Sequence, residues 1–336
     1  MKDITRIFVE TTIRKAIRDI KDSPKRSFRN LIDLGLNFAK GRFEKPFLVS
    51  VQNLLQNEQS PYYDLVLDTV HNVDTDRLIT FGMNVGYNGC TKGAKIIREI
   101  ESKENYNIPW SLSLEIDGEN YLDNEDMYFK VINDGKDLGI FTYFIFAKEL
   151  IKPTLSLAKK FEDCAFVYFC EETHIDDGLL DEAESLNNLM LAVKYNEDMA
   201  NTLLGIRERN MLYSVYIPYS EDNADEVISD DFYMGVEELH PVFTVLLPLQ
   251  STSKECCEKV YEYVKGVRNE QRMATILWDV YSDGKFVDNI ISESECSVAF
   301  DQNGSPIPFD NVVINKEMNI FSNQLCEILK SLPADI

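Results

Sequence analysis

Short apolar, β-branched and aromatic runs recur along the chain at Phe47–Leu55, Leu78–Tyr87, Trp110–Asp117, Ile140–Ala147, Ala165–Glu172, Leu212–Tyr219 and Phe243–Gln250. Each is followed by a polar or glycine-containing turn and then by a stretch whose apolar residues recur at helical spacing. Strands alternating with helices predict βαβ units and a parallel sheet. The fold class expected is α/β: a parallel (β/α)6-8, TIM-like and partial barrel. Both barrels and open doubly wound sheets place their chemistry at the carboxyl ends of the strands.

Flanking elements divide the chain into three predicted parts. Ile4–Ile20 carries apolar residues with a period near 3.6, and Ser27–Ala39 repeats the pattern up to Gly41, so two helices form an amino-terminal cap over residues 1–45. The barrel-like body spans 46–274. Its predicted helices are Tyr63–Val73, Thr91–Lys103, Asn124–Leu138, Leu150–Phe161, Asp181–Arg209, Asp225–Leu239 and Lys254–Met273, and the long Asp181–Arg209 stretch is expected to break near Asn196. Residues 275–336 form an extension. There Thr275–Tyr281 and Lys285–Ile291 flank Ser282-Asp283-Gly284, and Ser297–Phe300 and Ser305–Phe309 flank a turn with Asn303-Gly304, a hairpin signal. A last helix is expected at Phe321–Leu332.

Charge changes this picture most. Lys plus Arg number 34 and Asp plus Glu 57, a net −23, so the average field repels phosphate and excludes nucleic acid as a partner. Residues 1–45 run the other way, with twelve basic against six acidic residues, or +6; the rest carries −29. The basic helices therefore suit docking on an acidic protein surface. Seven cysteines, odd in number and without C-x-x-C spacing, read as reduced thiols in a cytoplasmic protein. No apolar run reaches the ~18 residues of a membrane span, and no secretory leader is visible.

Two segments carry a family resemblance. Leu78-Ile79-Thr80-Phe81-Gly82-Met83-Asn84-Val85-Gly86-Tyr87-Asn88-Gly89 reads as a strand running into a glycine-bearing turn and a helix; Cys296–Gly304, Asn319-Ile320 and the closing helix form a hairpin-and-helix tail. With the repeating body, these resemble the radical S-adenosylmethionine superfamily, whose partial barrel carries a C-terminal extension of the SPASM/twitch kind. The resemblance implies that Gly82, Asn84, Gly86, Tyr87 and Asn88 match the glycine-rich motif that receives the cofactor's amine. It also implies three cluster-binding cysteines after the first strand. The segment after Leu55, Gln56–Tyr63, has none, and the tail keeps only Cys296, where a cluster needs about four thiolates. The chain thus resembles a degenerate member, with no iron–sulfur cluster expected.

Read without the resemblance, Gly82–Gly89 is a tight βα turn or a backbone cradle for an anion. Glu171-Glu172-Thr173-His174 leaves one strand at its carboxyl end, and Glu115 and Asp117 leave another. Hard oxygen donors with an imidazole suit a divalent cation, so Glu115, Glu171, Glu172 and His174 are the metal candidates; a solvated acidic loop is the plain alternative. The tyrosines near strand ends (Tyr87, Tyr216, Tyr219) suit a peptide or planar molecule. Two functions stay open. One is a cluster-less, accessory or non-catalytic protein binding a small molecule or peptide at the strand ends through Asn84, Tyr87, Asn88, Glu115, Glu171 and His174. The other is a divalent-metal-dependent barrel enzyme, a hydrolase, lyase or isomerase, using the acidic strand-end cluster.

Overall fold

The structure, a computed structural model, describes residues 4–39, 41–292, 296–307 and 317–332. Nine strands occur among them: β1 (Ser111–Ile116), β2 (Thr142–Ala147), β3 (Ala165–Cys170), β4 (Leu189–Lys194), β5 (Tyr213–Tyr219), β6 (Phe243–Pro248), β7 (Ile276–Asp279), β8 (Val298–Phe300) and β9 (Pro306–Ile307). The chain folds as two compact units. One is Met1–Met83 with Tyr195–Val280, and the other is Asn84–Lys194 with Tyr281–Ile336. The class is mixed α/β with parallel strands dominant. No helix among the described residues is long and apolar enough to cross a membrane.

The first unit holds the amino-terminal helices Ile4–Asp22, Pro24–Phe38, Glu44–Leu54, Tyr62–Asn72 and Thr75–Met83, together with the parallel strands β5, β6 and β7 in that order. Arg207 ties these parts together. Its Nη1 and Nη2 donate to the two oxygens of Asp68 at 2.9 and 2.6 Å, joining helix Tyr62–Asn72 to helix Ala200–Glu208. A planar fork on a carboxylate fixes orientation as well as distance. At the strand ends the buried Tyr219 hydroxyl donates to Asp279 at 2.8 Å. Burial and that carboxylate both push the Tyr219 pKa up.

The second unit is built on β4-β3-β2-β1-β8-β9, all parallel except β9, which pairs antiparallel with β8. β3 is buried along its whole length, as a strand paired on both edges and covered on both faces must be. Leu112, Leu114, Ile116, Tyr143, Ile145, Phe166, Tyr168, Leu189 and Leu191 form its covered face, all buried.

Five of the seven expected strands are present and two are helices. Phe47–Leu55 lies in helix Glu44–Leu54 and the residue after it. Its β-branched and aromatic content favours a strand, but burial follows helical spacing: Leu48, Val51 and Leu55 pack with Ile32 and Tyr63, while Phe47 and Val49 stay exposed. Leu78–Tyr87 is helical throughout. Asp74 starts helix Thr75–Met83 by accepting from the Asp76 and Arg77 amides at 2.9 and 3.0 Å. Residues Asn84–Gly93 then form a π-helix that leads into helix Ala94–Glu104.

Two further expectations are corrected. The long helix over Asp181–Arg209 contains β4, because Leu189–Val193 is buried on both faces and pairs with β3; an apolar run of that length has no periodicity to separate strand from helix. Thr275–Ile291 is no hairpin: β7 pairs parallel with β6, and Val280–Ser292 is a helix. The Asn303-Gly304 hairpin is present as β8 and β9, with Gly304 at φ +78°, although 308 and 309 of the expected strand lie outside the described residues. The closing helix is Leu325–Ser331.

The π-helix is fitted to its surroundings by side chains that the turn reading overlooked. A Cβ on Gly93 would stand 2.2 Å from the Gly139 carbonyl oxygen, and Gly139 itself takes φ +99°, a left-handed turn natural only to glycine. Asn84 Nδ2 donates to the carbonyls of Glu162 and Cys164 at 2.8 and 2.9 Å, and Asn88 Nδ2 to Asp163 O at 2.8 Å and to Asn84 Oδ1 at 3.0 Å. Both carboxamides are buried. Asn84→Ala removes two donated hydrogen bonds and the acceptor of the buried Asn88 amide, and is expected to lower stability by about 1–3 kcal/mol, read from urea unfolding. A change below about 0.5 kcal/mol would show that the clamp is dispensable.

Candidate functional site

The candidate site is the face of β1–β4 in the second unit that carries Ser111, Ser113 and Glu115. It is half-buried on β1 and on Phe144 and Phe146 of β2, and buried on β3 and on β4 up to Lys194. Alternation along a strand sends every second side chain to one face. On β1 these are Ser111, Ser113 and Glu115, all half-buried, while their neighbours are buried. Register sets Ser113 beside Phe144 and Glu115 beside Phe146 on β2. Phe146 in turn lies beside Phe169 on β3, and Phe169 beside Ala192 on β4. The result is an aromatic floor. Phe146 stacks on Phe169 with centroids 4.4 Å apart, Phe144 meets Phe169 edge to face at 6.1 Å, and Trp110, just ahead of β1, meets Phe144 at 6.2 Å.

Charge lines the carboxyl ends of the same strands. Lys148, after β2, pairs with Glu115 at 3.5 Å. Lys194, the last residue of β4, pairs with Glu171, the first after β3, at 2.8 Å. His174 ends a single 3₁₀ turn, Glu172–His174, and its Nδ1 is buried with no hydrogen-bond partner among the described residues. The Lys194 ammonium, with His174 contributing, holds the Glu171 carboxyl below its ordinary range. The rim is thus two lysine–glutamate pairs, with an imidazole beside one of them.

The expected site residues fall into two groups at opposite ends of β3. Gly82 lies in helix Thr75–Met83, and Asn84, Gly86, Tyr87 and Asn88 in the π-helix. Asn84 and Asn88 grip the turn before β3, at its amino end. Glu171, Glu172 and His174 follow its carboxyl end. A six-residue strand separates the two groups by roughly 20 Å. One surface cannot include both sets, which corrects the expected placement. Of the acidic candidates, Glu171 and His174 come together, whereas Glu115 is held by its own lysine. Among the described residues no three of His, Cys, Asp and Glu gather as a metal-ligand group.

Ser111, Ser113, Phe144, Phe146, Phe169 and Lys194 escaped the sequence reading. The signal was present for β1, where Ser-x-Ser-x-Glu alternates with leucine and isoleucine. Lys194 was hidden because β4 reads as helix.

The segment after the first strand is where the resemblance expects a cluster. That strand is β1, so the segment begins at Asp117. Asp117 caps helix Gly118–Leu138 by accepting from the Glu119 amide at 3.2 Å. Gly118 is so close to Leu150 that a Cβ would stand 2.3 Å from the Leu150 Cβ. No cysteine occurs between Cys90 and Cys164. The residues there do not fit a thiolate-held cluster. Six of the seven cysteines are buried, and burial pushes the Cys170 thiol up to about 12, opposite to what a thiolate ligand requires.

No protein-family description and no curated relative matches the sequence. Solved structures do. Streptococcus suis SuiB bound to S-adenosylmethionine superposes with a TM-score of 0.52 at 11 % identity, covering 72 % of this chain and 69 % of SuiB. A second structure of Streptococcus suis SuiB gives 0.52 and 11 %, covering 74 % and 72 %. SuiB bound to precursor peptide SuiA gives 0.51 and 11 %, covering 71 % and 68 %. The likeness shows that this chain shares the fold of SuiB.

Replacing Lys194 with Gln is expected to return the Glu171 carboxyl toward the ordinary range near ~4.3, as followed by carbon-13 NMR titration. Because the folded pKa is lowered, the pair stabilises the fold above the unfolded pKa, and that contribution is lost as pH falls through the folded pKa. With both partners solvent-exposed by more than a third, its size is small, ~0–1 kcal/mol. A Glu171 titration unmoved by the substitution would remove Lys194 as its cause.

Proposed function

We propose that this chain is a radical-S-adenosylmethionine-like protein that binds a peptide on the β1–β4 face and performs no radical chemistry itself. The observation that carries the reading is that face: a floor of Phe144, Phe146 and Phe169 beside Ser111, Ser113 and Glu115, ending in a charged rim. Aromatic floors take apolar side chains, and a rim of both charges takes the polar groups of a polypeptide. The structural neighbour SuiB has been crystallised with a precursor peptide, which supports a peptide as the occupant of this kind of fold. The lack of cysteine between Ile116 and Cys164 supports the non-catalytic half. A cluster held elsewhere would need thiolates, and the buried thiols resist that state.

In this reading Phe144 and Phe146, backed by the buried Phe169, bury an apolar side chain, at ~25 cal/mol per Å² removed from water. Ser111 and Ser113 offer hydroxyls to the peptide backbone. Lys148 and Lys194 set preference through charges that must exchange Glu115 and Glu171 for groups on the incoming chain.

Selection of binders from a random peptide library, followed by titration, tests this. Phe146→Ala is expected to weaken the selected peptides at least tenfold, and Glu171→Gln to change which charges are selected. The protein purified without air is expected to hold no stoichiometric iron with acid-labile sulfide and to cleave no S-adenosylmethionine under reducing conditions. Cleavage by the intact chain would overturn the non-catalytic half. Peptides indifferent to Phe146→Ala would overturn the site.

A further inference from the structure

The amino-terminal helices contain a cleft of their own, formed within the first unit and unconnected to the peptide reading. Helices Pro24–Phe38 and Glu44–Leu54, with the turn that follows, enclose about 490 Å³ lined by Arg29, Ile32, Asp33, Gln52, Leu55 and Glu58, among others. Small-molecule sites commonly occupy about 300–1,000 Å³. The floor is apolar: Ile32 and Leu55 are buried with Tyr63 and backed by Leu36, Leu48 and Val51. At one end Gln52 Nε2 donates to Asp33 at 2.6 Å.

The other end holds a positioned cation. Arg29 Nε donates to the Tyr63 hydroxyl at 2.7 Å and to Leu55 O at 3.1 Å. The guanidinium lies over the Tyr63 ring, 5.6 Å from its centroid, and Lys25 Nζ stands at the same distance from that ring. Lys25 is itself anchored on Glu58 O at 2.6 Å. The carboxylate on Arg29 is Glu58, which reaches Nη2 at 3.5 Å from a side chain 71 % exposed, a loose surface pair. Nη1 donates to none of the described residues. A guanidinium held from behind, with one side of its fork loosely paired and an apolar floor below, suits a carboxylate joined to an apolar body, because the planar fork matches a carboxylate's two oxygens. The lining itself sets Arg29 against Asp33 and Glu58, so Arg29, with Lys25 nearby, is the group that would receive an anion.

We propose that this cleft binds a free apolar organic acid, its carboxylate on Arg29 and its aliphatic or aromatic body on Ile32 and Leu55. Glu58 then acts as an internal competitor that the ligand displaces.

Octanoate is the probe, titrated into the full chain by calorimetry, with octanol as the control that lacks the carboxylate. Saturable one-to-one octanoate binding is expected, at least tenfold tighter than octanol. Arg29→Gln should weaken octanoate tenfold or more. Because Arg29 also braces Tyr63, the decisive variant is Glu58→Gln, on an exposed side chain, which should tighten octanoate threefold or more. Equal affinity for octanoate and octanol, or no tightening in Glu58→Gln, overturns the proposal. So does binding of the capped peptide acetyl-Leu-Leu-Glu-amide without binding of octanoate, which would make the cleft a protein-docking surface instead.

Discussion

The turn that leads into β3 is the point on which the second unit depends. Three asparagine carboxamides converge on its carbonyls: Asn84 on Glu162 and Cys164, Asn88 on Asp163, and Asn188 on Ala158, Phe161 and Cys164. The turn is partly buried, at Phe161 and Cys164, and a buried carbonyl left unpaired costs more than most single contacts contribute. The clamp joins the π-helix, the turn and the approach to β4. It therefore fixes where β3 enters the sheet. From that entry point the register follows, with Phe169 between Phe146 and Ala192. A slip of one residue would move Phe169 and Glu171 to the opposite face.

The same register decides the electrostatics. Glu171 and Lys194 meet at 2.8 Å because β3 and β4 run parallel and end together. Glu115 finds Lys148 for the corresponding reason at the end of β1 and β2. In a chain of net −23, acids left unpaired on one rim would repel each other; distributing lysines between them leaves a surface of alternating sign. Such a rim suits a partner carrying both charges better than it suits a bare divalent cation, whose ligands must be free of competing ammonium groups.

A fold and the residues that carry chemistry on it are set by different parts of a sequence. A likeness to SuiB at 11 % identity is carried by parallel strands and connecting helices, which many apolar sequences can build. Thiolate ligation is carried by a few residues in one loop. In this chain the loop after β1 holds a cap, Asp117, and a glycine pressed against Leu150. The buried cysteines act as small apolar groups within the core.

Alternating strands and helices, the antiparallel hairpin at Asn303-Gly304 and the two opening helices could be read directly, because period and turn chemistry are local properties. β1 even displayed its face in Ser-x-Ser-x-Glu. Glu115 lies near the carboxyl end of β1, and Glu171 and His174 follow β3, because the pattern reveals both strands. Other features were not local. Phe47–Leu55 and Leu78–Tyr87 have strand-like composition and became helices, one through packing on Ile32 and Tyr63, the other through the Asp74 cap. Leu189–Val193 lacks any period and became β4 because β3 offered it an edge. Asn84 and Asn88 looked like a ligand cradle and proved to be clamps on residues about 75 positions away. The amino-acid order by itself determined the kinds of elements and the chemistry available. Which face each residue joins, and which acid meets which lysine, only tertiary structure decided, because register and burial depend on partners distant in the chain.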